Sequence, residues 1–138
     1  MTAKTGQQHL RELVRSFDAL RGLHEQLFKV LEAKIEAMRT ANVPALQTAN
    51  QDEHAILLLL REKENQRASL MQALARECGM SAKTARTATV SQIAPLVPAV
   101  ERELLLNAAS RLQVIVARTA QANARRAEAT HRSSTARH

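Results

Sequence analysis

From Pro44 to Cys78 the chain contains no glycine and no further proline. Strands in globular proteins are usually ~3–10 residues long, so an uninterrupted segment of this length is a helix. Proline is tolerated at a first helical position, and Gly79 suits the left-handed residue that ends a helix. At ~1.5 Å per residue the segment extends roughly 50 Å. Only 3 Gly and 3 Pro occur in all 138 residues, too few for the frequent turns of a sandwich or barrel. Ala, Leu, Arg, Glu and Lys supply more than half of the chain, as in long helices and coiled coils.

The same punctuation sets the domain plan. Thr5 and Gln8 form a candidate capping box for a first helix over about 7–41. Its apolar residues, Leu10, Leu13, Phe17, Leu20, Leu27, Leu31 and Met38, recur in steps of three and four, with His24 and Lys34 interrupting the seam. Gly22 lies within this pattern at a cost of about 1 kcal/mol relative to Ala. A second helix over about 44–78 has the expected seam Leu46, Asn50, Glu53, Leu57, Leu60, Glu64, Arg67, Met71, Leu74 and Cys78. The short connection at Asn42-Val43-Pro44 makes the pair an antiparallel hairpin. Residues 79–94 lose the period and read as a linker with one helical turn at most. A third amphipathic helix begins near Pro95. The expected architecture is an all-α, elongated, coiled-coil-like bundle of three helices over 1–116. After Val116 no large apolar side chain remains, so 117–138 read as a basic Ala/Arg-rich tail, frayed or disordered, that can be helical through its alanines but has nothing to pack.

Charge is uneven. Of the net +7, residues 1–78 contribute +1 and residues 79–138 contribute +6. The two phenylalanines, with no Trp or Tyr, argue against base-stacking platforms. The polar N-terminus lacks a signal-peptide apolar core, and the longest apolar run, Ala55–Leu60, is far below the ~20 residues of a membrane span. A cytoplasmic protein without membrane insertion is expected.

Catalytic chemistry has no foothold. One cysteine, Cys78, excludes an internal disulfide and a cysteine-rich zinc site. His54 and Cys78 on one helix are roughly 36 Å apart, too far for a nucleophile–base pair. A di-iron bundle needs two Glu-x-x-His pairs, and Glu128–His131 alone matches. The isolated glycines build no phosphate loop. His24 reads as a partly buried interruption of the seam. No enzyme, metal or cofactor is expected.

The third helix carries more apolar surface than one interface needs. On a wheel of 100° per residue centred on Leu104, the residues Val97, Ala108, Leu112, Ile115 and Ala122 fall within about 80° of it. Leu105, Ala109 and Val116 form a second ridge beside the first. Leu104 and Ile115 are therefore assigned to the hairpin core. Leu105 and Val116 are assigned to a groove for a partner's amphipathic helix.

The residues that resemble a known family are the stretch Leu27–Met38, the break at Asn42-Val43-Pro44, and Leu46…Leu60…Glu64-Asn65-Gln66-Arg67…Leu70-Met71…Leu74. Together with Leu104-Leu105-Leu106-Asn107 opening the third helix, they resemble the FlgN family of flagellar export chaperones over roughly Leu10 to Ala122. The resemblance implies a non-enzymatic chaperone that binds the C-terminal helical segment of hook–filament junction proteins. It would prevent their premature polymerisation and deliver them to the type III export apparatus. The partner-binding residues expected are Leu105, Ala109, Leu112 and Val116, with Arg118 and later arginines aiding capture, in a monomer or weak homodimer. The alternative is a basic helical adaptor or nucleic-acid-associated protein acting through Arg118, Arg125, Arg126, Arg132 and Arg137. Those arginines do not keep to one helical face, which disfavours it.

Overall fold

A computed structural model describes residues 6–136, with side chains described over 7–129. It is all-α, with no strand among the described residues. Helix α1 spans Gly6–Arg39 and α2 spans Val43–Glu77. Two single turns follow, α3 at Ala82–Ala85 and α4 at Val90–Ile93, then a 3-10 turn at Ala94–Leu96. Helix α5 spans Ala99–Ala136. The two long helices pack against each other, and α5 packs on α1.

Both ends of the hairpin helices close with the same backbone motif. At the end of α2, Gly79 takes φ +92°, its N–H donates to Arg76 O at 3.0 Å, and Met80 N–H donates to Ala75 O at 3.1 Å. At the end of α1, Ala41 takes φ +52°, with Ala41 N–H to Met38 O at 3.3 Å and Asn42 N–H to Ala37 O at 2.8 Å. Each motif satisfies carbonyls that the helix leaves open. Asn42 then turns the chain, its Oδ1 accepting from Ala45 N–H at 3.1 Å as the cap of α2.

The chain divides into two compact units. The first comprises Met1–Leu20 and Glu62–Gln113. Its core holds Leu10, Leu13, Phe17 and Leu20 from α1, Met71, Leu74 and Ala75 from α2, and Leu105, Ala108 and Leu112 from α5. Residues 79–97 are more structured than the expected linker. Ser81 caps α3, and Thr89 with Gln92 makes a reciprocal capping box on α4. Ala85, Ile93, Ala94 and Val97 are buried.

The second unit comprises Arg21–Arg61 and Val114–His138. It buries Leu27, Leu31 and Ala37 of α1, Ala49, Ile56 and Leu60 of α2, and Ile115, Thr119 and Ala122 of α5. Lys34 Nζ lies 2.8 Å from Glu53 Oε1, which joins α1 to α2. Thr119 Oγ1 donates to Ile115 O at 2.8 Å and lies 3.4 Å from His24 O, which ties α5 to α1. His24 is half-buried, as a polar interruption of the seam should be.

Two expectations change here. The segment after Val116 is helical to Ala136, and it is packed at Thr119 and Ala122. Small side chains, absent from a count of large apolar residues, let the helix lie close to its neighbour. In α2 the buried positions are Ala49 and Ile56, one residue before the expected Asn50 and Leu57. The steps 49–53–56–60–64 contain two consecutive fours, a local break in the heptad that a strict repeat misses. Leu57, Leu58 and Leu59 are consequently exposed.

Candidate apolar groove on the third long helix

Helix α5 has a defined entry. Arg102 extends its guanidinium back over the preceding turn, donating from Nε to Ala94 O at 2.8 Å and from Nη2 to Val97 O at 3.1 Å. Proline at 95 and 98 leaves this turn short of backbone donors, and the planar fork of Arg102 supplies them. The clamp fixes the first turns of α5 on the first unit and so positions Val100 and Leu104. Sequence reading missed Arg102. A basic residue a few positions beyond a Pro-x-x-Pro turn was the available signal.

Within the first unit Val100 and Leu104 line a groove of about 320 Å³ with Gln7, Leu10, Arg11, Val14, Arg15 and Glu101. Val100 is 72% exposed and Leu104 54% exposed, large values for apolar side chains. Leu10 is buried and Val14 half-buried, so an apolar floor lies under two apolar rims. Arg11, Arg15 and Glu101 supply polar edges. A groove of this composition suits the apolar face of an amphipathic helix.

The structure redistributes the sequence-predicted partner residues. Leu105 is fully buried at 0% exposure and Leu112 is buried at 9%, so both belong to the core. Leu104, assigned to the core, faces out. Ala109 is half-buried. Val116 is 41% exposed and Arg118 is exposed, so these two remain accessible. The buried residues Leu105, Ala108, Leu112, Ile115, Thr119 and Ala122 step by three and four without exception. A 3.5-residue period keeps them in register, whereas a 100° wheel drifts ~20° per heptad and moved Leu104 into the stripe.

Other cavities of the first unit are of a different kind. Leu10, Leu74, Val97 and Cys78 help line a smaller pocket of about 270 Å³. Burial and the adjacent Glu77 carboxylate push the Cys78 thiol above its ordinary pKa, opposite to a nucleophile's requirement. His9 Nδ1 lies 2.6 Å from Glu77 Oε1, which brings the start of α1 against the end of α2. No group of three metal-ligating side chains occurs among the described residues, and His131 of the Glu128–His131 pair lies outside the described side chains. No helix among the described residues is long and apolar enough to cross a membrane.

The family model described as FlgN protein matches residues 1–136 of the chain. No curated protein and no solved structure matches it.

Proposed function

The chain belongs to the FlgN family of flagellar export chaperones, and from that premise we propose that it binds the C-terminal helical segment of hook–filament junction proteins. The observation that carries this reading is the pair Val100 and Leu104, exposed on α5 over a groove floored by Leu10 and Val14. Burying a large aliphatic side chain contributes about 1.5–3 kcal/mol, so two such residues left in water are a reserve of binding free energy. In the second unit Val116 and Arg118 are also exposed, as separate candidate contacts.

In this reading the chaperone acts by occupancy and needs no catalytic group. A client helix with its apolar face in the groove is withheld from self-association in the cytoplasm until it reaches the export apparatus. The decisive experiment is co-purification of the full chain with the C-terminal segment of a hook–filament junction protein. Val100→Asp with Leu104→Asp abolishes the complex and leaves helicity and melting unchanged. A normally folded double variant that keeps its client would refute the groove.

A further inference from the structure

In the second unit α5 presents a second regular column beside its buried one. Val114, Arg118, Gln121 and Arg125 are spaced four, three and four residues apart, and all four are exposed. The buried column Ile115, Thr119 and Ala122 occupies the adjacent face. Exposed Ala117 and Ala124 flank the arginines and add no bulk. Arg118 and Arg125 make no ion pair among the described residues, whereas Arg126 is held by Asn123 Oδ1 at 3.2 Å. The sequence has no acidic residue between Glu103 and Glu128, and Arg111 and Arg132 continue the seven-residue spacing. Arg118 and Arg125 share a face, whereas Arg126, one residue on, departs from it, so the wider set of arginines does not keep to one face.

We propose that this column is a selectivity site for an acidic amphipathic helix whose carboxylates recur every seven residues. Arg118 and Arg125 are about 10.5 Å apart along the axis at ~1.5 Å per residue. A helix lying alongside repeats its own side chains at the same distance, so each guanidinium meets one carboxylate in the bidentate geometry that arginine favours. Small alanines allow the helix axes to approach to ~8–10 Å. A DNA strand, with one phosphate per ~3.4 Å of axis, also repeats a charge near this distance, but it leaves the exposed Val114 of the column uncovered, which an amphipathic helix does not. The proposal rests on the chaperone reading and names the class of client helix this chain prefers.

The test uses the full chain and synthetic helical peptides of about 20 residues with identical apolar faces, titrated calorimetrically. One peptide carries two Glu seven residues apart, one carries Gln at those positions, and one carries the two Glu five residues apart. Two good exposed pairs amount to about a tenfold preference for the seven-spaced Glu peptide, shrinking as salt rises. Arg118→Gln with Arg125→Gln removes the preference, and Arg118→Glu with Arg125→Glu transfers it to a peptide with Lys at the same positions. Circular dichroism checks that each variant is folded. Equal binding of the Glu and Gln peptides overturns the proposal, as does equal binding of the two Glu spacings. A DNA duplex that displaces the seven-spaced peptide also overturns it, in favour of nucleic acid. The hook–filament junction segment is titrated separately. If it fails to bind the wild-type chain while the spacing preference holds, the chaperone reading falls and the column stands. If it binds and the peptides show no preference, the column falls and the chaperone reading stands.

Discussion

Helix α5 has two faces that both carry large apolar side chains and differ completely in burial. The inner face consists of Leu105, Ala108, Leu112, Ile115, Thr119 and Ala122, all buried. The outer face carries Val100, Leu104 and Val114, all exposed. Residue type does not separate the faces where they begin, since Leu105 and its neighbour Leu104 are both leucine. Period separates them. Every inner position recurs at the spacing that keeps a residue against a neighbouring helix over several turns. The outer face has its own regular spacing, but no element among the described residues covers it. Under the proposed function, that uncovered face is where a client would contribute the missing helix.

The largest effect that bears on this contrast is expected at Leu105. Leu105→Ala removes a fully buried side chain and should cost about 2–5 kcal/mol, depending on how far the site collapses. Chemical denaturation of the full chain measures it. An effect below about 1 kcal/mol would mean that the inner face is not packed and that burial does not distinguish the two faces.

Ala122 comes next. It is fully buried although it is small, so the inner face in the second unit is filled by close approach rather than by bulk. Ala122→Leu forces extra methylenes into that space and should destabilise by about 1–3 kcal/mol. The matched change Ala124→Leu, at an exposed position two residues on, should stay within about 0.5 kcal/mol. Equal effects of the two changes would show that this part of the helix is not packed.

These comparisons indicate why the sequence revealed some features and concealed others. The helices and their order followed from Pro44, Gly79, Pro95 and Pro98, because backbone breakers act locally. The core of α1 followed as well, because Leu10, Leu13, Phe17 and Leu20 all point one way. The left-handed Ala41 left no trace, since the turn closes with a residue that does not favour that conformation. The choice between Leu104 and Leu105 could not be made from residue types. A wheel of 3.6 residues per turn favours Leu104 and a seam of 3.5 favours Leu105, and only packing decides which period the helix follows. The continuation beyond Val116 was missed because Thr119 and Ala122 bury little area yet fit closely. The groove at Val100 depends on Arg102 and on residues of α1 nearly ninety positions away in the chain, a juxtaposition that no local pattern encodes.

Thr119 refines the inner face further. It is one of two buried polar residues among those described, and its hydroxyl reaches two carbonyls, one of its own helix and one of α1. Thr119→Val keeps the shape and removes the hydroxyl. A typical net hydrogen bond contributes about 0.5–1.5 kcal/mol, and the Ile115 carbonyl also serves the helix ladder, so a loss near 1 kcal/mol is expected. A gain in melting temperature would mean that Thr119 is a tolerated impurity in an otherwise apolar column.

The smallest expected stability effect falls on the outer face, at Leu104. Leu104→Asp places a carboxylate on an exposed helical surface, near Arg11 and Arg15, which line the same groove. Surface substitutions of this kind usually stay within about ±0.5 kcal/mol, and the helix propensity lost from Leu to Asp is of the same order. The melting temperature should therefore barely move, in contrast to the collapse expected if the residue belonged to the core. One residue further on, the same substitution at Leu105 would bury an uncompensated charge and unfold the first unit. Measuring the pair by thermal denaturation asks whether a single step along α5 separates core from surface. If both substitutions unfold the protein, the third helix is covered on two sides and no face is left for a client; if neither does, the inner column is not a core.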